Sequence, residues 1–143
     1  MNIIALILAR GGSKGIKNKN IINVMGKPLI FYTIDIAKKI KSINEVYVST
    51  DGKKIKKIAE KYGANVPFLR PKKYSTDNSS DLDAFKHFYK WYLKNKKKRI
   101  DLIIHLRATT PFRKKNTIVK AIKIISKNKK TTCLRSFAKS SFS

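Results

Sequence analysis

Ile3-Ile4-Ala5-Leu6-Ile7-Leu8-Ala9-Arg10-Gly11-Gly12 opens the chain. Apolar side chains run unbroken from Ile3 to Ala9 and stop at paired glycines. A strand with one wet face would alternate, whereas an unbroken run is the pattern of a strand buried on both faces. The run is far shorter than the roughly 20 residues a bilayer-spanning helix needs. It also lacks a basic leader and a small-residue cleavage site, so it does not read as a signal peptide.

Outward from this strand, helical and extended patterns alternate. Residues 28–41 read as a helix, with Pro28 suited to its first turn and Leu29, Ile30, Phe31, Ile34, Ala37 and Ile40 on one face. Residues 45–50 are short and β-branched, hence a strand, and Asp51-Gly52 turns the chain. A second helix covers 53–62, with Ile55, Ile58 and Ala59 inward and Gly63 as its stop. Val66 to Leu69 reads as a short strand and 70–80 as a polar loop containing Pro71. Residues 81–94 form a third helix, its Leu82, Phe85, Phe88, Tyr89 and Tyr92 at spacings of three and four. A buried strand at 102–106, a helix at 117–126 and a last strand at 131–135 complete the reading. This alternation predicts an α/β fold built of βαβ units, a mostly parallel sheet with helices on both faces. Ligands of such sheets bind beyond the carboxyl ends of the strands. The loops to watch are therefore 10–20, 51–52, 70–80 and 107–113.

The length, 143 residues, suits one domain over 1–143. The charge is unusual: 34 Lys and Arg against 8 Asp and Glu give a formal +26. Such a chain attracts polyanions, including nucleic acid and phosphorylated small molecules. Its lysines are spread over nearly every segment, however, whereas a nucleic-acid footprint is concentrated on one face. Compositional drift and a selected polyanion-binding surface both remain open. Cys133 stands alone, which excludes a disulfide framework and a cysteine-based zinc site. His87 and His105 are far apart and read as structural, Trp91 as core or interface, and Cys133 as a buried strand residue. The default is a soluble cytoplasmic protein with no membrane partner.

The loop leaving the first strand runs Leu8-Ala9-Arg10-Gly11-Gly12-Ser13-Lys14-Gly15-Ile16-Lys17-Asn18-Lys19-Asn20. Glycines allow φ > 0 and close backbone approach, and successive N–H groups form an anion nest. Arg10, Lys14, Lys17 and Lys19 add fixed positive charge. Those are the parts a triphosphate requires. A P-loop is excluded because Ile16 or Lys17 stands where its second glycine belongs, and G-x-G-x-x-G is excluded because Gly11 and Gly12 are adjacent.

The string LARGGSKGIKNKN (8–20) resembles the signature of the acylneuraminate cytidylyltransferases, the family that makes CMP-activated sialic and related nonulosonic acids. PLIFYTIDIA, VYVSTDGKKI, KKIAEKYGANVPFLRP, STDNSSDLDAF and HLRATTPFR resemble further blocks in family order and carry the likeness along essentially the whole chain. Kdo cytidylyltransferases and molybdopterin-type nucleotidyltransferases share the fold, but their first loops lack the Lys19-Asn20 pair. The resemblance implies a Rossmann-like sheet of the nucleotide-diphospho-sugar transferase type. It implies transfer of CMP from CTP to the anomeric hydroxyl of a sugar acid, with release of pyrophosphate. A nucleic-acid-binding protein and a Kdo-type transferase are the alternatives.

By similarity, Arg10 and Lys19 are catalytic, and Leu8, Ala9, Arg10, Gly11, Gly12, Ser13, Lys14 and Asn20 hold the nucleotide. Arg70, Asp77, Ser79 and Ser80 resemble the base-reading segment, with Arg70 donating to cytosine O2 and a backbone carbonyl near Ser79 accepting from N4. Asp81 reads either with that segment or as the N-cap of the third helix. Arg107 and Thr109 fall where the family meets the sugar. Arg107 stands where many members have Gln, which leans toward a legionaminate- or pseudaminate-like sugar. Arg113 reads as a structural partner. The resemblance also implies Mg²⁺ and a homodimer. The family's metal-binding Asp-x-Asp lies in a later segment, and this chain has no such pair after residue 101, so no metal ligand is assigned. The ending, without a helix to cover a last strand, looks like a stop inside a domain, C-terminally truncated. The expectation is weak CTP binding and poor turnover by the chain alone.

Overall fold

The opening apolar run forms strand β1, Ile3–Leu8, and every one of its residues but Leu8 is buried. The architecture comes from a computed structural model that describes residues 1–12, 15–16, 18–128 and 130–136. After β1 come a two-stranded hairpin, β2 (Asn23–Val24) and β3 (Lys27–Pro28), then helix α1 (Leu29–Lys38) and strand β4 (Glu45–Ser49). Helix α2 (Lys53–Lys61), helix α3 (Asp81–Lys96), strand β5 (Leu102–Arg107) and helix α4 (Lys115–Lys127) follow. Short 3₁₀ turns at Lys19–Ile21 and Lys72–Tyr74 lie in the first and third loops.

The main sheet has the order β4-β1-β5, and both pairings are parallel. Leu8 aligns with Ser49 on one side and with Arg107 on the other, so three strands end at one level. The chain leaves β1, builds β4 on one flank, then crosses to the other flank for β5. That reversal opens a crevice at the carboxyl ends of β1 and β5. The α/β class and parallel sheet are as expected.

Alternation along β1 divides the core in two. Ile4 and Leu6 join Tyr47, Phe88, Tyr92 and Ile100 in one buried cluster, with Phe68, Phe85 and Trp91 packed around it. Helix α3 thus covers this face, while α1 packs on β1 and β4 through a side that includes Ile30, Thr33, Ile34 and Ala37. At the amino ends of the strands, the Tyr47 and Tyr92 hydroxyls donate to Glu45 (2.7 and 3.3 Å), and Asn2 donates to Tyr92 (3.1 Å). Burial pushes the Glu45 carboxyl up, but these hydrogen bonds and Lys96 outweigh it and hold it below its usual range.

Several expectations are corrected. Val66 to Leu69 forms no strand. Asn65 makes one parallel bridge to β4, and Pro67, which has no N–H to donate, then breaks the ladder. The chain rejoins only at Arg70, whose N–H donates to Thr50 (2.7 Å). Residues 131–135 form no strand, and Cys133 is exposed rather than buried. On α3, Leu82 and Tyr89 point to solvent, while the smaller Ala84 faces inward. Strand β5 is only half-buried through most of its length because it lies at an edge of the sheet. The N-cap of α3 is Ser80, not Asp81. Ser80 Oγ accepts from Asp83 N–H (3.2 Å) and the Asp83 carboxylate accepts from Ser80 N–H (3.1 Å), a reciprocal box unavailable to Asp81.

The chain divides into two units, Met1–Arg113 and Lys114–Ser143. The sheet and the crevice belong to the first. In the second, α4 buries Ile118 and Ile122, one turn apart. Among the described residues no helix is long and apolar enough to cross a membrane.

Phe88 is fully buried and Leu82 is exposed on the same helix. Phe88→Ala is expected to lose about 3–5 kcal/mol in urea unfolding. Leu82→Ala is expected to stay within about 0.5 kcal/mol of wild type.

Candidate active site

The crevice holds a cleft of about 340 Å³. Leu8 and Arg10 from the end of β1 and the loop beyond it form one wall, with Lys19 and Asn20 from the 3₁₀ turn. Arg70, Tyr74, Ser75, Thr76, Asp77, Ser79, Ser80 and Asp81 form the opposite wall. His105, Arg107, Ala108 and Thr109, from the end of β5 onward, complete the lining.

The first loop is tied back on itself. Asn20 is buried and its Nδ2 donates to the Arg10 carbonyl (2.9 Å), which brings Lys19 beside Arg10. Asn18 takes the left-handed conformation (φ 55°) that begins this turn. Gly11 N–H donates to Asp51 Oδ1 at 2.8 Å, so the loop is anchored on the end of β4. The expected glycine role is corrected here: Gly11 and Gly12 do not use φ > 0. A Cβ on Gly11 would meet Gly52 and Asp51 only at ordinary contact distances, and one on Gly12 would meet nothing within 4 Å.

The second wall carries an arginine almost wholly removed from solvent. Arg70 is 6% exposed, and its Nε donates to Ser75 Oγ (3.0 Å). Burial pulls its guanidinium below its usual value, and Asp51 and Asp81 oppose that pull. Ser79 Oγ accepts from Thr76 N–H (3.1 Å) and donates to the Lys73 carbonyl (3.0 Å), which folds the loop into shape. Two ion pairs cross the cleft: Arg10 with Asp77 at 2.8 Å, and Arg107 with Asp81 at 3.5 Å. All four side chains are partly or largely exposed, so each pair adds little stability.

At the β5 end, Arg107 and His105 share a face of the strand by the two-residue alternation. The His105 ring stands edge-on to Phe85, 5.0 Å between centroids. Burial pulls its imidazole below the usual histidine value; Asp81 acts against this, and Arg107 and Arg113 act with it. Arg113 donates to Thr33 Oγ1 (3.0 Å) and to the Arg107 carbonyl (2.6 Å), in keeping with a structural part.

The cleft thus gathers Leu8, Arg10, Lys19, Asn20, Arg70, Asp77, Ser79, Ser80, Arg107 and Thr109 from the sequence expectation. Ala9, Gly11 and Gly12 lie beside it without lining it. Ala9 is buried and its N–H donates to Ser49 (3.0 Å), so its part is to pair strands. Ser13, Lys14 and Lys17 lie outside the described residues. Tyr74, Ser75, Thr76, His105 and Ala108 were missed. His105 was legible: once Arg107 faces the ligand, the residue two before it on the strand does too. Tyr74 was not, because the 3₁₀ turn that aims it has no periodicity to read.

The cationic lining suits a phosphate-rich, anionic ligand. The fit to Mg²⁺ is poor. The cleft carboxylates Asp77 and Asp81 are engaged with arginines, and among the described residues no group of three or more His, Cys, Asp or Glu could hold a metal.

Comparison with known proteins shows the family. The cytidylyltransferase family pattern matches residues 4–141, and the chain belongs to that family. It is 37% identical over 138 residues to the N-acylneuraminate cytidylyltransferase of Escherichia coli O18:K1:H7, covering 96% of this chain and 32% of that protein. It is 40% identical over 126 residues to the CMP-N,N'-diacetyllegionaminic acid synthase of Legionella pneumophila, covering 87% and 53%. The chain therefore spans between a third and about half of these relatives. In fold, it is similar to a CMP:2-keto-3-deoxy-manno-octonic acid synthetase solved with CTP. That match has a TM-score of 0.75 at 20% identity and covers 90% of this chain and 48% of the other.

The half-buried His105 gives a pH dependence. Its imidazole titrates lower in the folded chain than in the unfolded one, so the unfolded chain takes up the proton first. Stability from this source is full above the usual histidine value and falls as the pH drops through it. Urea midpoints are expected to fall between about pH 7.5 and 5.5. His105→Gln, which cannot take up the proton, is expected to show a smaller fall; an equal fall in both proteins would remove His105 as a source.

Proposed function

We propose that this chain grips CTP for transfer of its cytidylyl group to a nonulosonic acid. The observation that carries the reading is the meeting of Arg10, Lys19, Asn20, Arg70 and Arg107 around one cleft at the carboxyl ends of β1 and β5. Family membership supports it. The names of the relatives support a sialic-acid-like acceptor. In this reading Arg10 and Lys19 take the phosphates, with Asn20 keeping the Arg10 backbone in place. Arg70 and the 75–80 loop take the cytosine, and Arg107 and Thr109 the sugar acid. Arg107 would meet the carboxylate of the sugar by a bidentate contact that Gln cannot make.

The chemistry is an in-line displacement. The anomeric hydroxyl oxygen forms a bond to the α-phosphorus and gives up its proton to solvent water, while the bond from that phosphorus to the β-phosphate bridge breaks and pyrophosphate leaves. Negative charge shifts toward the leaving phosphates, and fixed guanidinium and ammonium groups favour that shift without having to reorganise. Arg10 contributes a planar fork and Lys19 a mobile point charge. Magnesium belongs to the proposal by family likeness alone. The residues present do not fit it. A cytoplasmic location, a homodimer and a place in cell-surface glycan synthesis belong to the same proposal.

Thermal unfolding tests it. CTP at tenfold its dissociation constant is expected to add about 1.4 kcal/mol of stability, and ATP none. Arg10→Met and Lys19→Met are each expected to weaken CTP binding about 10- to 100-fold. Equal protection by ATP, or sub-micromolar DNA binding with a steep salt slope and no CTP effect, would overturn the reading.

A further inference from the structure

Between the phosphate wall and the base wall lies a carboxylate that neither the loop signature nor the cleft lining includes. Asp51 lies two residues beyond the end of β4, between the attachments of the two walls. Its Oδ1 accepts the Gly11 N–H at 2.8 Å, one residue beyond Arg10. On its other side, the Arg70 backbone N–H donates to the Thr50 carbonyl at 2.7 Å, so the start of the base loop is stitched to Asp51's immediate neighbour. Thr50 is itself buried, and its Oγ1 accepts the Gly52 N–H (3.0 Å), which holds the 50–52 turn in one shape.

We propose that Asp51 is a positioning residue joining the two halves of the nucleotide site: it fixes the phosphate loop through Gly11 and offsets the buried charge of Arg70. The inference rests on the nucleotide reading above. Three observations support it. Arg70 is 6% exposed, and a buried guanidinium requires a nearby countercharge. Among the carboxylates that favour its charged form, Asp51 acts more strongly than Asp81. Asp81 already faces Arg107, at 3.5 Å. The chain has only 8 acidic residues against 34 basic ones, so an acid that serves two walls at once is not a product of abundance. Asp51 acts through Gly11 and Arg70 and does not itself line the cleft.

The test uses the whole chain with Asp51→Asn and Asp51→Ala, titrated separately with CTP and with inorganic tripolyphosphate. Asn keeps an oxygen for Gly11 N–H but removes the charge beside Arg70, whereas Ala removes both. Asp51→Asn is expected to bind tripolyphosphate as wild type does, or more tightly, and to lose about tenfold or more in CTP affinity. Asp51→Ala is expected to lose about tenfold or more for both. CTP affinity within about twofold of wild type in Asp51→Asn, or undiminished tripolyphosphate binding in Asp51→Ala, overturns the assignment. If the wild-type chain binds neither ligand, the nucleotide reading falls by itself. The positioning assignment is then decided by hydrogen exchange: protection of the Gly11 amide and of the Arg70 Nε proton must both drop in Asp51→Ala, and Gly11 must recover in Asp51→Asn. Unchanged protection at either position in Asp51→Ala overturns it.

Discussion

Parallel pairing on both edges of β1 is the constraint from which the rest follows. It brings Leu8, Ser49 and Arg107 to one level, so the loops after three strands begin from a common plane. The pairing holds because one face of β1 packs on the aromatic side of α3 and the other lies toward α1. A slip of one residue would exchange those faces and scatter the loops. Arg10, Thr50 and Arg107 are therefore near neighbours in space through backbone ladders, with no direct side-chain contact required between them.

Electrostatics then does local work in a chain whose overall charge is lopsided. With 8 acids for 34 bases, there are too few carboxylates to pair with most of the cationic side chains. The scarce acids are placed unevenly. Asp51 anchors the first loop, Asp77 faces Arg10, Asp81 faces Arg107 and Asp83 closes the helix cap behind them. Asp77 and Asp81, which line the cleft, hold Arg10 and Arg107 in defined directions that self-repulsion would otherwise spread apart.

Much of this was readable from residue order. The unbroken run in β1, the strand–helix alternation and the rule that ligands sit at carboxyl ends pointed to the loops that enclose this cleft and to most of its lining. What escaped depends on features without a period. Pro67 breaks a ladder that Val66 and Phe68 would otherwise have continued. The choice between Ser80 and Asp81 as cap turned on a reciprocal bond from Asp83, which spacing alone leaves undecided. The aromatic spacing of α3 identified a helix but not its rotational phase, so Leu82 and Tyr89 were turned inward and Ala84 was overlooked. Asp51 was noticed as part of a turn, and only the Gly11 hydrogen bond gives its direction.

The peptide at position 107 is held from two sides: its carbonyl accepts from Arg113 (2.6 Å) and from Thr33 (3.2 Å). Neither bond involves the side chain of residue 107, which is exposed into the cleft. The tip of this strand therefore works as a fixed mount with an interchangeable fitting. Evolution can alter the chemical group presented to the cleft there without disturbing the scaffold, so the lining can diverge while the fold stays fixed.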